Sequence, residues 1–155
     1  MGADCDYRWV KTDDIGKYNW SDGWIRQMYL PDVPIEFWED IPGFENLECF
    51  IVGLLDEMKI ECLLNNGTDF VFDCNINTID VMIAKCREFI HELVDLDSDG
   101  DKKRGMEIAH VFYNEYYEWN GELAENLCRT LMALKNEREN LLKHAGWSLI
   151  VEILY

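Results

Sequence analysis

Cations are scarce in this chain of 155 residues: Lys and Arg number 14 against 31 Asp and Glu, for a formal charge of −17. Direct nucleic-acid binding needs cationic groups that displace counterions from phosphates, and docking on anionic lipid needs them too, so the sequence argues against both. Serine is nearly missing as well, with only Ser21, Ser98 and Ser148, none of them in a Gly-x-Ser-x-Gly turn. No uncharged run approaches the roughly 18 apolar residues that a membrane span requires. Residues 1–10 carry Asp4, Asp6 and Arg8 where a signal peptide would hold its apolar stretch. There is no Cys-x-x-Cys among Cys5, Cys49, Cys62, Cys74, Cys86 and Cys128, so neither a disulfide framework nor a zinc knuckle is expected. These absences together predict a cytoplasmic protein with reduced, mostly buried thiols.

Apolar residues are plentiful at 48%, with 13% aromatic, which is enough to close one core in a chain of this length. The first third is dense in rings, and Tyr7–Val10 and Trp24–Leu30 read as short strands. All three prolines, Pro31, Pro34 and Pro42, fall next and mark an extended connection. From Asn46 the apolar spacing becomes helical, with Leu47, Phe50, Ile51, Leu54, Leu55 and Met58 on one stripe. Ile60–Leu64 and Phe70–Phe72, joined through Asn65-Asn66-Gly67, predict a hairpin, because Asn-Gly accepts the positive φ of a tight turn. Asn77, with Asp80 three residues on, reads as the cap of a helix whose stripe is Ile79, Met82, Ile83, Cys86, Phe89, Ile90 and Leu93. Further helices are expected over about Gly105–Trp119 and Glu122–His144. Gly146 ends the latter, and Trp147–Tyr155 follows as a strand or a last short helix. The fold class is a single α+β domain over residues 1–155, with its helices concentrated after residue 46.

Charge is unevenly shared. Residues 1–75 hold 16 acidic and 5 basic side chains, against 15 and 9 in residues 76–155. Between Pro31 and Asn75, eleven acids (Asp32, Glu36, Glu39, Asp40, Glu45, Glu48, Asp56, Glu57, Glu61, Asp69, Asp73) meet only Lys59. A globule of this mass exposes about 8,000 Å², so the mean surplus is roughly one charge per 500 Å². Duplex DNA carries roughly one per 100 Å². Imitating nucleic acid therefore demands that the carboxylates gather on one face. Phe37 and Trp38 stand among Glu36, Glu39 and Asp40, and rings surrounded by acid suit an Arg-rich partner.

Asp95-Leu96-Asp97-Ser98-Asp99-Gly100 matches the first half of a calcium loop, with oxygen ligands at alternate positions and then a turn-forming Gly. The second half departs from it: Met106 stands where the bidentate carboxylate belongs, Glu107 comes one place late, and Lys102-Lys103-Arg104 crowd the site. Calcium, if held, would take Asp95, Asp97, Asp99 and Glu107, weakly. Gly100 and Gly105 have the spacing of a phosphate loop, but Met106-Glu107 replace its Lys-Ser/Thr. His91-Glu92-Leu93-Val94-Asp95 has the zinc-helix spacing with Asp for the second His, and His110 is the only third ligand in prospect. Cys86 with His110, or Cys128 with His144, are the thiol–imidazole pairs the sequence offers, yet Cys86 falls on an apolar stripe, which favours inert burial. Phe112, Tyr113, Tyr116, Tyr117 and Trp119 form an aromatic stretch, of which Tyr113 and Tyr117 lie beside the core-facing positions.

No catalytic constellation emerges, and the expectation is a non-enzymatic protein. In charge and size it is similar to small acidic inhibitors: immunity proteins that neutralise a nuclease toxin, or phage proteins that block a nucleic-acid-handling defence machine. The expected partner is a basic protein, a nuclease or a nucleoprotein complex. The expected contact residues are Asp32, Glu36, Phe37, Trp38, Glu39, Asp40, Glu45 and Glu48, with the Asp95–Asp99 calcium module as the alternative reading.

Overall fold

The computed structural model describes residues 4–17, 48–95, 102–112 and 121–154. Strand β1 (Asp4–Lys11) runs into a 3-10 helix (Thr12–Lys17). After it come α1 (Glu48–Glu57), β2 (Cys62–Asn65), β3 (Asp69–Cys74), α2 (Ile76–Asp95), α3 (Lys102–Val111), α4 (Gly121–Lys143) and β4 (Trp147–Leu154). The architecture is α+β, with a sheet of order β1-β4-β3-β2 that is antiparallel throughout. The Trp24–Leu30 strand, the proline-rich connection and residues 113–119 of the aromatic stretch lie outside the described residues.

The last strand is one of the two internal ones. β4 pairs Leu149 with Trp9 of β1 on one side, and Val151 with Phe72 of β3 on the other. Leu149, Val151 and Ile153 join Trp9, Phe72 and Cys74 in the core shared with the helices. The alternate residues Ser148, Ile150 and Glu152 point to the opposite face and are buried too, as are Val10 and Val71. Burial on both faces explains why residues 148–154 read as a nearly unbroken apolar run, in which the two-residue period that marks a half-buried strand is lost.

Local chemistry sets the turns. Asn66 Oδ1 accepts from the Thr68 and Asp69 backbone N–H groups at 3.1 and 2.8 Å. Gly67 takes φ +93°, so the predicted hairpin forms with its turn at Asn66-Gly67-Thr68. The cap of α2 is two residues earlier than expected. Asn75, not Asn77, accepts from the Thr78 N–H at 3.0 Å, because β3 runs on to Cys74 and hands directly into the helix. Gly146 (φ +92°) follows α4, and its carbonyl accepts from the Thr12 N–H at 2.7 Å, tying β1 to the start of β4. α3 begins at Lys102, earlier than the expected Gly105, and ends at Val111; its Ile108 and the Phe112 that follows it are buried.

Three rings fasten the helices. Phe112 lies 5.0 Å from Phe50 of α1 and 5.7 Å, edge to face, from Phe89 of α2. Gly53 permits this approach, since a Cβ there would stand 2.6 Å from the Val111 carbonyl oxygen. α2 and α4 run antiparallel, linked by Cys86 Sγ donating to the Leu127 carbonyl and by Arg138 on Asp80. The buried edge of α4 is Leu123, Leu127, Thr130, Leu134, Glu137 and Leu141, an alternating four-and-three spacing that a carboxylate interrupts. Among the described residues, no helix is long and apolar enough to cross a membrane.

Candidate functional site

The acid-rich stretch enters the described structure at α1. Asp56 and Glu57 occupy the last turn of that helix, both exposed, and Glu61 follows, also exposed. A carboxylate at a helix C-terminus opposes the helix dipole, which costs a few tenths of a kcal/mol where a Lys or Arg would stabilise. The turn that ends α1 is a Schellman motif: Lys59 N–H donates to the Asp56 carbonyl at 3.1 Å and Ile60 N–H to the Leu55 carbonyl at 3.3 Å. Its left-handed residue, usually Gly, is Lys59 at φ +51°. The helix thus ends in exposed acid with a single cation, in a strained backbone position.

On the later helices several surface acids are paired with cations. Lys85 pairs with Glu88 at 3.3 Å, Arg129 with Glu125 at 3.2 Å and Arg138 with Asp80 at 2.5 Å. Arg104 of α3 spans Glu92 of α2 at 2.9 Å and Glu107 at 3.3 Å. Lys85, Arg129 and Arg104 toward Glu107 thereby stand on carboxylates of their own helices at i,i+3 or i,i+4 spacing, whereas Arg138 and Arg104 toward Glu92 reach across to α2.

Among the described residues three carboxylates are buried and a fourth, Asp73, is half-buried. Asp69 and Glu152 are completely buried in the sheet, so Asp69 does not belong to the exposed acid counted from the sequence. Alternation along β3 explains it: Asp69, Val71 and Asp73 share the face opposite the helices, and that face is covered. Asp73 is half-buried. Burial raises its pKa, while hydrogen bonds from the Asn75 amide and the Ser148 hydroxyl pull the other way. With the Ser148 proton given to Asp73, the Ser148 oxygen accepts from Thr12 Oγ1 at 2.8 Å. Glu137 is the most perturbed: burial pushes its carboxyl up to about 7, offset in part by the Asn140 amide donating to Oε1 at 3.3 Å.

The Thr12–Ser148 pair and Asn75 line an open cleft of about 430 Å³, with Asn77, Leu142 and Trp147 at its sides. Its lining carries hydroxyls and amides but no ionisable side chain.

Of the expected contact residues, Asp32, Glu36, Phe37, Trp38, Glu39, Asp40 and Glu45 lie outside the described residues, and Glu48 is the first residue of α1. Asp97 and Asp99 lie outside them too. Asp95 ends α2 exposed, and Glu107 carries the Arg104 guanidinium. No group of three His, Cys, Asp or Glu side chains close enough to hold a metal occurs among the described residues. His91 and His110 are exposed on α2 and α3. Cys86 is buried as expected, and burial, with a smaller push from Cys128, raises its thiol to about 12. The exposed acid at the end of α1 was within the stretch singled out from the sequence. Asp69 and Asp73 were within it too, but counted as surface acid, and Glu137 and Glu152 lay outside it, because residue type alone says nothing of which face is covered.

Compared with known proteins, the chain matches no family model, and no curated protein or solved structure matches it.

Proposed function

We propose that this chain is a non-enzymatic acidic binding protein that covers a basic, nucleic-acid-facing surface of a partner protein, such as a nuclease or a nucleoprotein complex. The observation that carries the reading is the end of α1. There Asp56 and Glu57 are exposed against the preference of the helix dipole, with Glu61 exposed just beyond, while Lys85, Arg104, Arg129 and Arg138 are engaged with acids on the later helices. Local chemistry that works against stability is the mark of a surface kept for something else. The carboxylates steer a cationic partner inward, and the aromatic pair Phe37 and Trp38 supplies the buried anchors.

The test is capture of partners on the tagged chain from a lysate at low salt, with elution by graded salt and competition by duplex DNA. The reading expects basic nucleic-acid-handling proteins that leave as salt rises and that duplex DNA displaces. Partners that are neutral, or that remain bound at high salt and ignore DNA, contradict it.

A further inference from the structure

The geometry points to a redox-responsive thiol pair, Cys86 of α2 and Cys128 of α4, that closes to a disulfide when the chain meets a peroxide. Cys86 is fully buried, and its Sγ donates to the carbonyl oxygen of Leu127 at 3.2 Å. In a trans peptide the carbonyl oxygen and the next Cα are about 2.8 Å apart. Cys86 Sγ therefore lies within about 6 Å of the Cys128 Cα, and bridging the two sulfurs requires the Cys128 side chain to turn toward α2 together with a shift of the packed helices. Cys128 itself is exposed on α4. The thiols also influence one another, since Cys128 is the second cause, after burial, of the raised Cys86 pKa.

Their environments divide the chemistry. The exposed Cys128 thiolate gives its electron pair to one oxygen of hydrogen peroxide. The O–O bond breaks, and the departing hydroxide leaves as water once protonated, giving a sulfenic acid. The Cys86 sulfur then attacks the Cys128 sulfur, the S–O bond breaks, and the second water carries off the Cys86 proton. Two thiols and one peroxide become one disulfide and two waters. Cys86, held protonated in its apolar surroundings, is unsuited to the first step; in the second its position beside Leu127 favours it, and it must give up its proton to the departing hydroxide as it attacks. The bridge clamps the two longest helices together and closes a loop that contains all of α3.

The experiment treats the whole folded chain with stoichiometric hydrogen peroxide, alkylates free thiols after denaturation, and maps cross-links by mass spectrometry without reduction. A Cys86–Cys128 cross-link is expected, with a loss of two hydrogens in the intact mass. A rise of about 10 °C in melting temperature, reversed by dithiothreitol, should accompany it. Cys128→Ser should abolish both. Because Cys86→Ser replaces a buried thiol and threatens the fold, the wild-type map and the Cys128→Ser control decide the matter. Cys128 found as a sulfinic acid, joined to another cysteine or linked between two chains, with Cys86 still alkylated, would overturn the proposal.

Discussion

Carboxylates inside this protein and carboxylates on the end of α1 make an instructive pair. Inside, Asp69, Glu137 and Glu152, with the half-buried Asp73, contribute to the formal charge but little to the surface field, and Glu137 is only partly ionised at neutral pH. Outside, Asp56, Glu57 and Glu61 are exposed to water at and just after the end of α1. The same residue type costs stability in one place and supplies long-range attraction in the other. A formal charge of −17 therefore overstates the anionic surface, and location decides what each acid is for.

The largest expected effect comes from neutralising an interior acid. Glu137 has a folded pKa raised from 4.5 to about 7, so below pH 4.5 it is protonated in both states and carries no penalty. As pH rises from 4.5 to 7 the unfolded chain ionises while the folded chain keeps its proton, and stability is lost. Above pH 7 the penalty is full, about 3 kcal/mol for a shift of this size. Glu137→Gln should therefore raise stability at pH 8 by up to about 3 kcal/mol and flatten the curve between pH 4.5 and 7. Urea melts across that range would check it, and an unchanged pH profile would remove Glu137 from the account.

Charge reversal on the outside should act on association and leave folding nearly untouched. Glu57→Lys with Glu61→Lys should slow binding to a captured basic partner roughly tenfold at low salt. Glu88→Lys with Glu125→Lys, an equal formal change on the later helices, should slow it much less. Equal slowing by both pairs would mean that net charge, not placement, drives the encounter.

How much of this division was visible in the sequence depends on the residue. Asn66-Gly67 announced its turn because only that chemistry favours a positive φ there. The stripe from Ile79 to Leu93 announced its buried face because helical spacing is imposed by the backbone. Asn75 and Asn77 are equally good caps, and the choice between them was settled by where β3 ends, a matter of sheet pairing. Asp69 looked like surface acid because its burial depends on what covers the second face of the sheet. Glu137 sat among charged neighbours, and its four-and-three spacing with Leu134 and Leu141 was the one available clue to its burial.

Smaller effects sharpen the contrast further. Arg104→Ala removes the link from α3 to Glu92 of α2 and should cost less than about 1 kcal/mol, shrinking with added salt, as expected of a solvent-exposed pair. Chemical denaturation at two ionic strengths measures it. The same variant frees Glu107, and in the wild-type chain millimolar calcium should leave the melting temperature unchanged, because Arg104 occupies that carboxylate. A calcium-dependent rise in the melting temperature would instead revive the Asp95–Asp99 loop as a site.

The claim at the centre is that exposed carboxylates draw in a cationic partner, and the association rate against salt tests it most directly. Stopped-flow mixing of the chain with its captured basic partner, from about 50 to about 200 mM salt, should show the rate falling by tenfold or more while dissociation changes little. A rate indifferent to salt across that range would contradict the account.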